Sequence, residues 1–432
     1  MQRVLVLLVL LAACDSPAAP REFVGHLGAT DVWSGAEVVV VSPSFQTALP
    51  HVRIGSDTLS VRRLDDSTVV AQLPDGNGTR TLTIETAGFE PFSADVTLYG
   101  LRSIETGPLL AGYLELIPNT TRVLGAGDGL VEVDVRTGNV VRHWDETVHS
   151  ADCISSVGPS VRVGYYVLWG KDSVGGRCTH PWVWHYGLTT LDRVDSLPAV
   201  PGAWGMAEIG PRGIIAGGDD VLRISHCDSA GCTPQTYFNQ GGGLGGVSIA
   251  RSANRAFLHH WFGFIVDATT GDTLGRLPLG PGGSPATQPF YHAENVAFSA
   301  GEDTAYVVGN IGASGSILLR ILTSTGALID TLPLTNTYAT DVRVDDTRIY
   351  VALLKGSVGV NATRPELRIY DRANLQLIAT LRAADADTLS PTEWHQFRLV
   401  PDLVMHAMYL VATVQVVGFD ANAKILRYDL LP

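Results

Sequence analysis

Charge is scarce in this chain, and positive charge scarcer still. Only 17% of its 432 residues are charged, and 30 Lys and Arg against 43 Asp and Glu leave a formal net charge of −13. No segment gathers Lys and Arg into a patch, so nothing in the chain suits a phosphate backbone, and nucleic acid is excluded as a partner. No apolar run is long enough to span a bilayer as a helix. Cysteine is sparse, with five residues and no CxxC pair, which argues against structural zinc. Neither HExxH nor GxSxG occurs, although a catalytic triad assembled from distant segments would leave no such trace. What remains is 45% hydrophobic residues with 46 Gly and 23 Pro. That composition describes a well-buried chain with many tight turns, long enough for two or three domains.

One phrase recurs roughly every 40 to 55 residues from about position 104 onward. It reads VEVDVRTGNVVRHW at Val131–Trp144 and FIVDATTGDTLGRLPL at Phe264–Leu279. It returns as LRILTSTGALIDTLPL at Leu319–Leu334 and LRIYDRANLQLIATL at Leu367–Leu381. Each copy is an alternating apolar run, a polar Asp/Thr/Gly turn and a second strand ending in Leu. A repeat of this length built only from strands predicts a β-propeller, because a single four-stranded blade cannot bury both of its faces alone. Leading strands are expected near Tyr113, Asp152, Gly205, Gly246, Asn295, Asp341 and Gln396, which makes seven blades. Ile425–Leu430 reads as a third strand, and Leu101–Thr106 has the pattern to supply the missing fourth, closing the ring without an open edge.

The N-terminus reads as an export signal. Met1-Gln2-Arg3 carries one positive charge, Val4–Leu11 is a short apolar core, and Leu11-Ala12-Ala13-Cys14 follows. Leu-Ala-Ala-Cys resembles the bacterial lipobox, which implies cleavage of residues 1–13, lipid on the Cys14 thiol and a tether over 14–27. The resemblance places the protein in the cell envelope, anchored to a membrane, and leaves inner against outer membrane open. The other four cysteines are Cys153, Cys178, Cys227 and Cys232. An even count in an exported chain suggests two disulfides, and spacing favours Cys227–Cys232 and Cys153–Cys178 among three pairings.

Residues 28–100 read as short strands between turns, AEVVVVSPSF, HVRIGSDTLSV, STVVAQLPDG, TRTLTIETAGF and SADVTLYGL, the pattern of a small Ig-like β-sandwich. Gly35, Val38–Val41, Phe45, Val52–Gly55 and Leu73-Pro74 resemble the IPT/TIG immunoglobulin-like family, although Pro43 and Ser44 stand where that family prefers glycine. Such domains act as spacers or docking modules. Residues 101–432 resemble YVTN/YncE-like propellers. Asp134-Thr137-Gly138 and Asp267-Thr270-Gly271 match best, Thr325-Gly326 lacks the Asp, and Asp371 lacks the Gly. The expected fold is therefore all-β, a sandwich followed by a seven-bladed propeller.

Long connections at Gly170–His180, Gly280–His292, Gly309–Ser316, Lys355–Pro365 and Ala384–Glu393 are expected on the face away from the anchor, where loop length beyond turn requirements marks function. Around the channel mouth on that face stand His149, Asp152, Trp204, His292, Glu294, Asn295, Asp341, Trp394 and His395. Asp152, Glu294, Asn295 and Asp341 are oxygen donors of the kind a divalent cation takes, and Trp204 and Trp394 offer stacking surfaces. The same side chains could instead satisfy strand-end backbone groups of a hydrated channel. The glycines Gly241–Gly246 match GxGxxG formally, but Val247–Ala250 continues as a strand and not as a helix, so nucleotide binding is rejected. The expected function is that of a membrane-anchored, non-enzymatic binding scaffold for a protein or carbohydrate partner, with no cofactor other than an optional divalent cation. The rival is an extracytoplasmic propeller enzyme, a lactonase-like hydrolase or a lyase. Sequence leaves the ligand, catalysis and oligomeric state open.

Overall fold

The structure is a computed structural model. It describes residues 20–46, 48–109, 114–117, 120–126, 130–144, 152–159, 164–173, 177–187, 193–198, 203–209, 213–218, 221–228, 231–239, 244–260, 263–270, 272–277, 291–311, 315–355, 364–382, 394–416, 419–420 and 422–432. Between 152 and 246 the backbone pairing is described and the side chains are not. Cys14, His149 and the expected connections at 280–290, 356–363 and 384–393 fall outside the described residues. Among the described residues no helix is long and apolar enough to cross a membrane.

The chain folds as two compact units, one comprising residues up to Pro74 with Gly78–Leu98, the other Asp75–Asn77 with Tyr99–Pro432. Alternation builds the first. In Glu37–Val41, Val38 and Val40 point inward while Glu37 and Val39 face water, as the period of two requires. Its two sheets, of four and five strands, close on one core that includes Phe45, Val52, Ile54, Leu82, Ile84 and Val96.

Among the described residues, the second unit shows seven antiparallel sheets, each with a four-strand path. Their leading strands are Leu114–Leu116, Asp152–Pro159, Ala203–Ile209, Leu244–Ala250, Tyr291–Phe298, Thr337–Val344 and Trp394–Asp402. Each lies against the next, and the seventh lies against the first. Apolar faces meet between consecutive sheets. Phe257 and Ile265 of the fourth pack on Val296 and Val307 of the fifth, and Val400, Tyr409 and Val411 of the seventh pack on Val123 and Val133 of the first. Six sheets run in chain order. The seventh takes its outer strand, Leu101–Leu109, from the other end of the unit, with Leu101 opposite Tyr428 and Ile104 opposite Leu426.

The repeated Asp and Gly have a local cause. Asp134 Oδ1 accepts the Arg136 amide at 2.9 Å, Asp267 Oδ1 the Thr269 and Thr270 amides at 2.9 Å, and Asp371 Oδ1 the Ala373 amide at 2.8 Å. The carboxylate thus replaces a backbone turn, as an Asx-turn does. Positive φ closes the turn at Gly138, at 70°, at Leu375, at 59°, and at Gly326, at 73°, in the copy that lacks the Asp. Leu375 takes a conformation that suits glycine, and it is buried against the fifth and sixth sheets. Packing there outweighs a backbone cost of about 1–2 kcal/mol.

Candidate functional site

Every leading strand from the second sheet onward carries the same irregularity. Pairing steps from Ile154↔Trp169 to Ser156↔Leu168, and from Ala203↔Gly218 to Gly205↔Gly217. It steps likewise at Leu244/Gly246, Ala293/Asn295, Ala339/Asp341 and Trp394/Gln396. One residue is therefore extra each time: Ser155, Trp204, Gly245, Glu294, Thr340 and His395. Such β-bulges bend the strand and re-aim a side chain, and they gather at sheet rims and beside binding sites. Here they recur at one level of the ring, near the start of six of the leading strands.

The bulge also explains where the sequence reading placed strand starts. Gly205, Gly246, Asn295, Asp341 and Gln396 are the residues immediately after the bulges. Regular alternation begins there, and the segment before each bulge is out of phase with it. The leading strands therefore start two to four residues earlier than the pattern indicates. Two expected connections need correction for a related reason. Gly309–Ser316 is largely ladder, with Asn310 paired to Ser316, and Gly170–His180 is crossed by Asp172↔Cys178 and Ser173↔Arg177.

The candidate residues divide by position. Trp204, Glu294 and His395 are bulged, and Asn295 and Asp341 follow bulges. Trp394 precedes one, opposite Val414, and His292 stands opposite Asn310. Asp152 opens the second leading strand, opposite Lys171. The side chains of Asp152, Trp204, His292, Trp394 and His395 are outside the described set.

Glu294 Oε1 accepts hydrogen bonds from Asn310 Nδ2 and, from the next sheet, Tyr338 Oη, both at 2.8 Å. Burial holds the Glu294 carboxyl above the usual carboxylate range despite these two donors and the nearby Arg398 charge. Tyr338 is pushed up by burial and by the adjacent carboxylate. Asn310 also spans sheets, donating to Ala339 O at 3.1 Å and accepting from Ala339 N at 3.0 Å.

A raised folded-state pKa means that the stability contributed by Glu294 is complete below its unfolded pKa of about 4.3 and is lost as pH rises through the folded value. Glu294→Gln keeps an acceptor oxygen and removes the charge. Thermal melts of this variant should match the wild type near pH 4 and lie above it near pH 8. Equal differences at both pH values would show that the carboxyl is not perturbed.

Asn295 and Asp341 have a different occupation. Asn295 Oδ1 accepts Val296 N at 2.7 Å, and Asp341 Oδ1 accepts Val342 N at 2.8 Å. Asn295 Nδ2 also donates to Asp341 Oδ1. Asp341 Oδ2 accepts Leu399 N at 2.7 Å and faces Arg343 Nη2 at 3.3 Å. Arg398 Nε then donates to Leu114 O at 2.8 Å, so polar links run from the fifth sheet through the sixth and seventh to the first. Both Asp341 oxygens are engaged inside the fold. Among the described residues no three His, Cys, Asp or Glu side chains gather as a metal cluster.

Sequence reading missed Tyr338, Asn310, Arg343 and Arg398. Asn310 lay inside an expected loop, and the others sit in alternating strands where nothing distinguishes a cross-sheet partner from a solvated side chain. Cys227 and Cys232 are direct cross-strand partners, whereas Cys153 and Cys178 lie on strands flanking a third, opposite Gly170 and Asp172.

No family model and no curated protein matches the chain. In fold it is similar to the β-propeller domain of Cps50 (Swd1) from Myceliophteria thermophila, with 13% identity over 76% of this chain and 100% of that one and a TM-score of 0.50. It is also similar to a chain of the mitotic checkpoint complex, with 12% identity over 76% of this chain and 91% of that one and a TM-score of 0.55. Identities this low speak to fold alone: the protein is all-β, with a β-propeller architecture.

Proposed function

We propose that the protein is an exported, lipid-anchored envelope lipoprotein and that it binds a protein or carbohydrate partner without catalysis. In this reading Cys14 carries the lipid, the first unit is an IPT/TIG-like spacer, and the second is a seven-bladed YVTN/YncE-like propeller closed by Leu101–Thr106. Partners meet the face that carries the bulged starts of the leading strands.

One observation carries this assignment. Asn295 and Asp341, at equivalent positions after the bulge, do the same structural job, each accepting its own strand's next amide. The bulged positions just before them hold unlike residues, with Trp204, Glu294, Thr340 and His395 at equivalent points of one frame. Unlike side chains at one level of a shared frame are what a recognition surface offers a particular partner. The two fold neighbours are named as a propeller domain and as part of an assembled complex, which is consistent with a protein partner.

A photo-crosslinking residue placed at Trp204 or His395 should capture a partner or a glycan in intact envelopes, and one placed at exposed Thr331 should not. Capture no greater at the bulges than at Thr331 would remove the assignment. Cys14→Ala should release the protein from membranes with its fold intact.

The Glu294–Tyr338 pair is the one observation favouring the enzymatic alternative. A perturbed carboxyl beside a phenol is the kind of group a hydrolase or lyase uses for proton transfer. Under that alternative Glu294→Gln abolishes turnover of a lactone or uronide panel, and under binding alone it leaves partner capture unchanged.

A further inference from the structure

Among the described turns that join first to second strands, the seventh is chemically unlike those of the fourth, fifth and sixth sheets. In the fourth sheet Ala250 and Arg255 enclose the four-residue turn Arg251-Ser252-Ala253-Asn254, closed by Asn254 at φ 52°. In the seventh, Asp402 and Ala407 enclose Leu403-Val404-Met405-His406, closed by His406 at φ 45°. The backbone device is the same, so the turn itself does not require apolar residues. Leu403, Val404 and Met405 are nevertheless 74%, 81% and 51% exposed. A single exposed Leu is ordinary, but three consecutive apolar residues on a hairpin tip are not.

The tip is held rather than loose. Asp402 accepts the Met405 amide at 3.1 Å and takes Arg136 Nε and Nη2 at 2.5 and 2.7 Å. His406 O accepts Leu430 N at 2.7 Å. Exposed guanidinium groups flank it, together with the exposed carboxylates of Glu105, beside Gly138, and of Asp346 in the neighbouring turn. Arg136 is 42% exposed over a buried Asp402, and Arg102 is 56% exposed over Asp429 at 16%. Guanidinium groups therefore face outward while their carboxylate partners face inward. Leu101, the start of the unit's N-terminal strand, lies at this same edge, because Asp429 N donates to Gly100 O. The bulges lie at the opposite end of the leading strands.

We infer that Leu403, Val404 and Met405 form a membrane-insertion tip, entering the headgroup–acyl boundary of a bilayer while Arg136 and Arg102 meet lipid phosphates. Apolar insertion combined with flanking cationic groups is how interfacial segments bind lipid surfaces. A narrow three-residue tip buries itself fully in lipid but covers far less area than a stable protein interface needs. The inference rests on the envelope location proposed above and adds a second membrane contact to the lipid. It also leaves the bulged face directed away from the bilayer.

The full chain carrying Cys14→Ser, which has no lipid, is mixed with vesicles of phosphatidylethanolamine and phosphatidylglycerol. It should co-sediment, and the variant Leu403→Ser, Val404→Ser, Met405→Ala should partition roughly tenfold less or worse. The melting temperature should not change, because the three side chains are exposed. In a separate Val404→Trp variant, the emission added over that of the eight native tryptophans should shift to the blue when vesicles are added. Unchanged partitioning of the triple variant, or an unshifted added emission, overturns the tip whatever else it touches. Lipid labelling of the unaltered protein at Cys14 tests the anchor separately. Failure to label with a vesicle-sensitive tip removes the anchor and keeps the tip, and labelling with an insensitive tip does the reverse.

Discussion

Asp341→Ala should destabilise the second unit by about 3–5 kcal/mol, because it removes one partner from a buried network and strands the others. The carboxylate is fully buried, accepts from Asn295 and from the Val342 and Leu399 amides, and pairs with the Arg343 charge. Alanine leaves two buried amide donors without acceptors, each costing about 1–3 kcal/mol, and an arginine without its counter-ion. Asp341→Asn keeps one acceptor oxygen but sets an NH2 group against a donor, so its loss should be smaller yet still exceed 1 kcal/mol. Tryptophan fluorescence during denaturant titration reads this unit almost alone, since seven of the eight tryptophans belong to it and only Trp33 to the other. A midpoint unchanged in Asp341→Ala would show that the links between the fifth, sixth and seventh sheets are incidental.

The second large effect concerns closure. A chain starting at Leu110 should melt roughly 10 °C or more below one starting at Tyr99, and it should self-associate. Removing Leu101–Leu109 uncovers the edge of Asn422–Asp429 along a ladder from Tyr428 to Asn422. It also deletes the Arg102–Asp429 ion pair at 3.2 Å and the Lys424–Thr106 hydrogen bond at 2.8 Å. A bare edge is a template for pairing between chains. A synthetic Leu101–Leu109 peptide added in trans should restore the melting temperature and suppress association. Equal melting of the two chains would remove any role for this strand in holding the seventh sheet.

The propeller architecture was legible because its signal is repeated and local. The Asp of VEVDVRTG and FIVDATTG makes an Asx-turn, Gly138 supplies the positive φ, and the alternating Val and Ile bury one face. Leu375 shows the limit, since a leucine at the turn-closing position is set by the burial around it and by nothing in its own segment. At the candidate site, sequence located Glu294, Asn295 and Asp341 but not what divides them. A bulge is a one-residue change of phase, and the short apolar stretch before it looks like a connection. The partners Tyr338, Asn310 and Arg398 come from neighbouring sheets, and no spacing along the chain encodes that proximity.

The strand that completes the seventh sheet has a consequence in time. Arg102 and Asp429 are 327 positions apart, so the first strand of this unit to be synthesised waits for the last. Until Tyr428 arrives, Leu101–Leu109 has no ladder to join, and six sheets can form while the final one lacks its outer edge. Pairing so distant in sequence makes for slow, late closure. It also leaves the unfinished intermediate open to proteolysis and mispairing for as long as translation of the remaining chain takes.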